Sequence, residues 1–164
     1  MKELITFEDF NNINWFNKYR INEINTIKDL FLKFPENNFI NLAIFQFDLF
    51  EYEDCDDYHY IINKLMNKVI NRYPDFKIDK VNCLKKNKIE LIINAKKNKK
   101  AFRVNGSRFD IEAVIDFLNS ILSKSNIEER FYLLDSPGDI KYPILTTPQL
   151  IEKAKMNNLI AIEY

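Results

Sequence analysis

Apolar residues along the chain follow two periods, and the points where the period changes mark out the elements. Near the start, Phe7, Phe10 and Trp15 are spaced to put aromatics on one side of a short helix, with Thr6 in the capping position. Asn25-Thr26 precede Ile27, Leu30, Phe31 and Phe34 at close to 3.6-residue spacing, which predicts a helix that Pro35 stops. From Leu42 to Phe50 the pattern becomes alternating. Ala43, Phe45, Phe47 and Leu49 interleave with Ile44, Gln46 and Asp48, which predicts a largely buried strand. Helical spacing returns from about Asp57 to Tyr73, with Ile61, Ile62, Leu65, Met66 and Val69 on one broad face and Pro74 as the stop.

Phe76–Leu84, Lys88–Ala95 and Ala101–Asn105 then read as three strands joined by tight turns rich in Lys and Asn, an antiparallel meander. Gly106-Ser107 is a break. Asp110–Leu122 carries Ile111, Val114, Ile115, Leu118, Ile121 and Leu122 at helical spacing. Arg130–Leu134 and Tyr142–Leu145 flank Ser136-Pro137-Gly138-Asp139, a strong turn signal, and predict a hairpin. Thr147-Pro148 is a cap followed by the proline that favours a first helical turn. That helix is expected to run to about Met156, with a short final strand at Leu159–Ile162. Helices and strands in mixed order with hairpin connections point to an α+β fold. The expectation is a single domain over residues 1–164, mainly antiparallel, with a central three-strand meander packed by four to five helices.

Composition sharpens this picture in three respects. Fourteen Phe and eight Tyr in 164 residues supply ample core and argue against disorder. Lys plus Arg and Asp plus Glu each number 24, so long-range attraction to nucleic acid or anionic membrane is cancelled overall. No apolar run reaches the roughly 18 residues of a membrane span, and Met1-Lys2-Glu3-Leu4-Ile5 is not a signal peptide, so no membrane association and a cytoplasmic address are expected. The two cysteines, Cys55 and Cys83, read as buried reduced thiols.

Catalytic chemistry has little to build on. His59 is the single histidine and would have to serve as base to any Ser or Cys nucleophile. Cys55 lies four residues away, but no oxyanion-hole glycines surround it, and a packed or surface histidine is the plainer reading. Zinc would want more ligands than His59 and two distant cysteines provide. No phosphate loop, dinucleotide fingerprint, HExxH or GxSxG is present, and Gly106 and Gly138 are the two glycines in the chain. The expectation is no enzyme, no metal and no cofactor.

Charge, by contrast, is segregated. Between Lys33 and Lys64 there is no basic residue, while Glu36, Asp48, Glu51, Glu53, Asp54, Asp56 and Asp57 all occur. Asp54-x-Asp56-Asp57 lacks the glycine and closing glutamate of a calcium loop. These acids either complement a helix N-terminus or form a binding surface for a basic partner, with Tyr52, Tyr58 and Tyr60 as aromatic anchors. From Lys85 to Arg103 in the meander, Lys85, Lys86, Lys88, Lys96, Lys97, Lys99, Lys100 and Arg103 stand against a single Glu90. Lysines at turns and edges guard sheets against aggregation. Nucleic-acid binding would want an aromatic platform among them, and Ile89, Leu91, Ile92 and Ile93 look like core instead.

In the C-terminal half, a helix ending Phe117-Leu118-Asn119-Ser120-Ile121-Leu122 is followed by Glu129-Arg130-Phe131-Tyr132-Leu133. An aspartate-containing turn then leads to Pro143-Ile144-Leu145-Thr146-Thr147-Pro148-Gln149. Over roughly residues 110 to 160 this resembles the small, divergent immunity proteins encoded beside bacterial polymorphic or contact-dependent toxins. The resemblance implies a non-catalytic cytosolic protein that binds a toxin domain and blocks it, and it carries over no functional residue. Joined to the acidic stretch, it gives the expected partner surface: Glu51, Tyr52, Glu53, Asp54, Asp56, Asp57, Tyr58 and Tyr60, set against a nuclease toxin. The alternative is a nucleic-acid-binding accessory protein that uses the lysine-rich meander turns.

Overall fold

The computed structural model describes residues 4–48, 55–84, 88–102, 110–136 and 138–164, and excludes the side chains of Cys55 and Asp56. Its helices are α1 (Phe7–Asn12), α2 (Ile21–Lys33), a 3₁₀ segment (Pro35–Leu42), α3 (Cys55–Arg72), α4 (Ile111–Lys124) and α5 (Pro148–Met156). Its strands are β1 (Phe47–Asp48), β2 (Ile78–Leu84), β3 (Lys88–Ile93), β4 (Lys96–Ala101), β5 (Arg130–Leu134) and β6 (Ile140–Thr146). Among the described residues these strands form two three-stranded antiparallel sheets, β1–β6–β5 and β2–β3–β4, and the fold is α+β. Contacts within the chain gather into two compact units.

The first unit comprises residues 1–46, 128–136 and 142–164. Its core is aromatic. Phe10 meets Trp15 edge-on at 5.4 Å and Phe31 at 5.8 Å, while Phe7 stacks on Phe16 at 4.7 Å. Ile144, Leu134, Ile151 and Ala154 complete the cluster from β5, β6 and α5. Helix ends are fixed as their sequences dictate. The Thr6 N–H donates to Asp9 Oδ2 at 2.7 Å, and Thr147 Oγ1 accepts from the Leu150 N–H at 3.3 Å. Helix α2 begins at Ile21, four residues before the expected Asn25, because Glu23 reaches back to accept from the Arg20 N–H at 3.0 Å.

The strand expected over Leu42–Phe50 shrinks to Phe47–Asp48 among the described residues, and the preceding residues form the 3₁₀ segment. Pro143 supplies a reason. Leu133, opposite it in the ladder, turns its backbone to the C-terminal segment, donating to Tyr164 O at 2.7 Å and accepting from Glu163 at 2.9 Å. Pro143 therefore faces the other way and offers a carbonyl, taken by the Ile44 N–H at 2.8 Å, but no N–H to continue a ladder. The final strand expected at Leu159–Ile162 is reduced to a single bridge, Leu134 to Ile162, with flanking bonds that reach Tyr164.

The second unit comprises residues 47–127 and 137–141. Helix α3 packs on β2 and β3, burying Ile61, Ile62, Leu65, Met66 and Val69 on its inner face, while β3 buries Ile89, Leu91 and Ile93. The meander differs from expectation in register. The β3–β4 loop is just Asn94-Ala95, both at positive φ (47° and 62°), as a two-residue hairpin of the type I′ class requires. The Asn94 N–H donates to Lys77 O at 3.1 Å and the Ala95 N–H to Asp79 Oδ2 at 2.7 Å, so the turn is clamped to the entry of β2. With the turn at 94–95, Lys96, Lys97, Lys99 and Lys100 lie in strand β4 and not in a turn. Of the strand expected at Ala101–Asn105, residues 103–105 lie outside the described residues, as do Gly106-Ser107.

The cysteine expectation is corrected as well. Cys83 is disulfide-bonded and exposed on β2, and no described cysteine is free. The sequence could not show this because no CxxC signature marks either cysteine. Such cross-links are rare in proteins of a reducing cytosol, and the expected cytoplasmic address did not anticipate one.

Two measurements follow from these features. Cys83→Ser should lower the unfolding free energy by about 2–4 kcal/mol, the usual contribution of a disulfide, and added reductant should do the same to the unmodified chain. Urea midpoints unmoved by either treatment would show that the bond carries no stability. Ala95→Gly should raise stability by about 0.5–1 kcal/mol, since a β-carbon at positive φ is strained and glycine is not.

Candidate binding surfaces

The first candidate surface is the start of α3. Of the eight residues expected to form it, Glu51, Tyr52, Glu53 and Asp54 lie outside the described residues, as does the side chain of Asp56. The remaining three occupy different environments. Tyr60 is 48% exposed, Asp57 is half-buried, and Tyr58 is 1% exposed. Tyr58 is thus a core residue, and its place in the expected surface is corrected. One turn of helix cannot put residues 58 and 60 on the same side, and the inner side here is the one continued by Ile61, Ile62 and Leu65.

Tyr58 fixes the helix start in the second unit. Its ring stacks on Phe102 with centroids 4.8 Å apart and planes 13° from parallel, and Phe102 in turn meets Phe117 of α4 edge-on at 5.9 Å. Its hydroxyl oxygen accepts the Asp110 N–H at 3.0 Å, and Asp110 caps α4 by accepting from the Ala113 N–H at 3.2 Å. Burial raises the phenol above its ordinary value, with the Asp110 hydrogen bond opposing. Outward from this anchor, Lys64 lies over the Tyr60 ring with its ammonium 5.4 Å from the centroid, which holds that ring in place at the surface. His59 is half-buried, with Nε2 3.0 Å from Asn63 Nδ2 one turn along the helix.

The second candidate surface is the meander. The outer face of its sheet carries two cross-strand rows: Lys80, Ile92 and Lys97 in one, Asn82, Glu90 and Lys99 in the other. Glu90 is buried within this basic face. Its carboxylate accepts from Asn82 Nδ2 at 3.1 Å and pairs with Lys99 Nζ at 3.0 Å, and these bonds hold it below its ordinary value of 4.5. Lysines 85 and 86 and Arg103 of the expected basic patch lie outside the described residues.

Between the hairpin end of the meander and the end of α4 lies a cleft of about 630 Å³ in the second unit. It has Phe76, Ile93 and Ile121 in its wall and Lys96, Lys124 and Asp75 at its mouth. Among the described residues no cluster of histidine, cysteine and carboxylate groups is arranged to hold a metal ion, and no helix is long and apolar enough to cross a membrane. Comparison with protein-family models, curated proteins and solved structures finds no match to this chain.

Glu90 makes the stability of the second unit depend on acid. A carboxylate whose folded value lies below its unfolded one stabilises the fold above the unfolded value, and that contribution disappears as pH falls through the folded value. Stability should therefore decline from about pH 4.5 downward, and Glu90→Gln should flatten that decline while lowering stability at neutral pH. Parallel slopes in acid for the two proteins, measured by urea unfolding between pH 3 and 6, would dismiss the Glu90 contribution.

Proposed function

We propose that this chain is a non-catalytic binding protein that neutralises a cognate bacterial toxin domain, gripping it with the acidic, tyrosine-bearing segment that leads into α3. The observation that carries the reading is the division of roles between two neighbouring tyrosines. Tyr58 is sunk in the core and pins the helix start, while Tyr60 stands 48% exposed on that same turn, with Asp57 three residues before it. An aromatic ring held on a rigid helix loses little freedom on binding, and such rings dominate interface energies. Glu51, Glu53, Asp54 and Asp56 immediately upstream add negative charge. A nuclease toxin binds a polyanion and so presents a basic cleft, which an acidic surface would mimic substrate to fill and would approach quickly. The likeness of residues 110–160 to immunity proteins supports the same class, and on this reading the protein acts in the cytoplasm of the cell it protects.

The test is capture of partners by the tagged chain from its native cell, followed by titration of the purified pair. One stoichiometric protein partner is expected. Tyr60→Ala should weaken its binding by about 2 kcal/mol without changing the melting temperature, as for an interface anchor. Reversing Asp54, Asp56 and Asp57 to Lys should slow association most at low salt. Recovery of nucleic acid in place of a protein would reject the class, and full-strength binding by both variants would move the surface elsewhere.

A further inference from the structure

The meander leaves one edge strand with outward backbone groups that no described residue takes up. Among the described residues strand β4 lies at one edge of the sheet, paired to β3 alone. Because Ile93 and Lys96 close a two-residue hairpin, they exchange hydrogen bonds, and alternate residues along β4 do likewise. Lys97, Lys99 and Ala101 therefore turn their N–H and C=O groups outward, and no described residue takes them. The strand is exposed on both faces apart from half-buried Asn98, with Lys97 and Lys99 on one face and Lys96 and Lys100 on the other. Lys99 is tied to Glu90, whereas Lys96, Lys97 and Lys100 have no ion pair among the described residues.

We infer that β4 is a docking edge for an acidic, extended segment of another protein, which would add to the sheet as a fourth strand. Two features of the edge select this occupant. The outward backbone groups match an extended peptide, since they repeat with a strand's period and satisfy a strand's N–H and C=O groups in turn. The lysines on both faces match carboxylates at successive positions of the incoming strand, where directly opposed unlike charges attract. The same lysines disfavour a second copy of this chain, whose own β4 would bring like charges face to face. Nucleic acid fits less well, because the lysines share their outer face with Ile92 and the buried Glu90 carboxylate rather than with aromatic rings on which bases stack.

The probe is a fluorescent eight-residue peptide in which pairs of Glu alternate with pairs of Val, so that both faces of the extended strand carry carboxylates, titrated into the full chain at low salt and followed by anisotropy. Binding is expected, together with slowed hydrogen exchange at the amides of Lys97, Lys99 and Ala101. The same peptide N-methylated at alternate residues should bind at least tenfold more weakly. Lys97→Pro should lose more affinity than Lys97→Ala, because Pro also removes an outward N–H that the β3–β4 ladder does not use. Lys97→Glu with Lys100→Glu should abolish binding while the melting temperature holds. No binding, equal binding of the N-methylated peptide, or tighter binding of a single-stranded oligonucleotide of the same charge would each overturn the inference. None of these results bears on partner capture through α3.

Discussion

The second unit is organised around a single phenol. Tyr58 uses its ring face against Phe102, just past the end of β4, and its oxygen for the Asp110 N–H at the cap of α4. The start of α3, the end of the meander and the cap of α4 are thus located by one side chain. Burying a tyrosine is favourable only when its hydroxyl is satisfied, and here a backbone donor with no helical partner of its own supplies the bond. The exposure of Tyr60 depends on this arrangement, because the side of α3 that Tyr58 commits to the core determines which residues are left outside.

Charge is distributed by the same local rules. The hairpin at Asn94-Ala95 places each lysine of β4 on a definite face, and the single carboxylate among them, Glu90, is held by Asn82 and Lys99. A net charge of zero conceals this, since it sums an acidic segment before α3 and a basic strand that lie far apart in sequence. Recognition at short range answers to the local arrangement, whereas the sum governs only the distant field.

Much of the fold was legible in the residues because it is set locally. Helices α3, α4 and α5 announce themselves by apolar spacing, by Pro74, and by the Asp110 and Thr147 caps. Features set by partners distant in sequence were not legible. The late start of β1 reflects what Pro143 can and cannot offer, and no local pattern announces the disulfide at Cys83. The turn of the meander was misplaced for another reason: Ala95 has no turn preference, and its positive φ is imposed by the strands around it and by Asp79. At the candidate surface, spacing alone separates Tyr58 from Tyr60, yet composition had grouped the two as equal anchors.

The makeup of the two units has a consequence for biosynthesis. The second unit draws all but five of its residues from one unbroken stretch, 47–127, while the first requires residues 1–46 to meet residues 128–136 and 142–164. A ribosome therefore delivers nearly everything the inner unit needs while the aromatic N-terminal segment, with Phe10, Trp15 and Phe31, still lacks β5, β6 and α5. Until residues 128–136 and 142–164 have been added, that segment waits with its rings exposed to solvent and to chaperones. The continuous unit can thus mature before the discontinuous one although the latter begins earlier in sequence, the reverse of the N-to-C succession usual for proteins whose units follow one another.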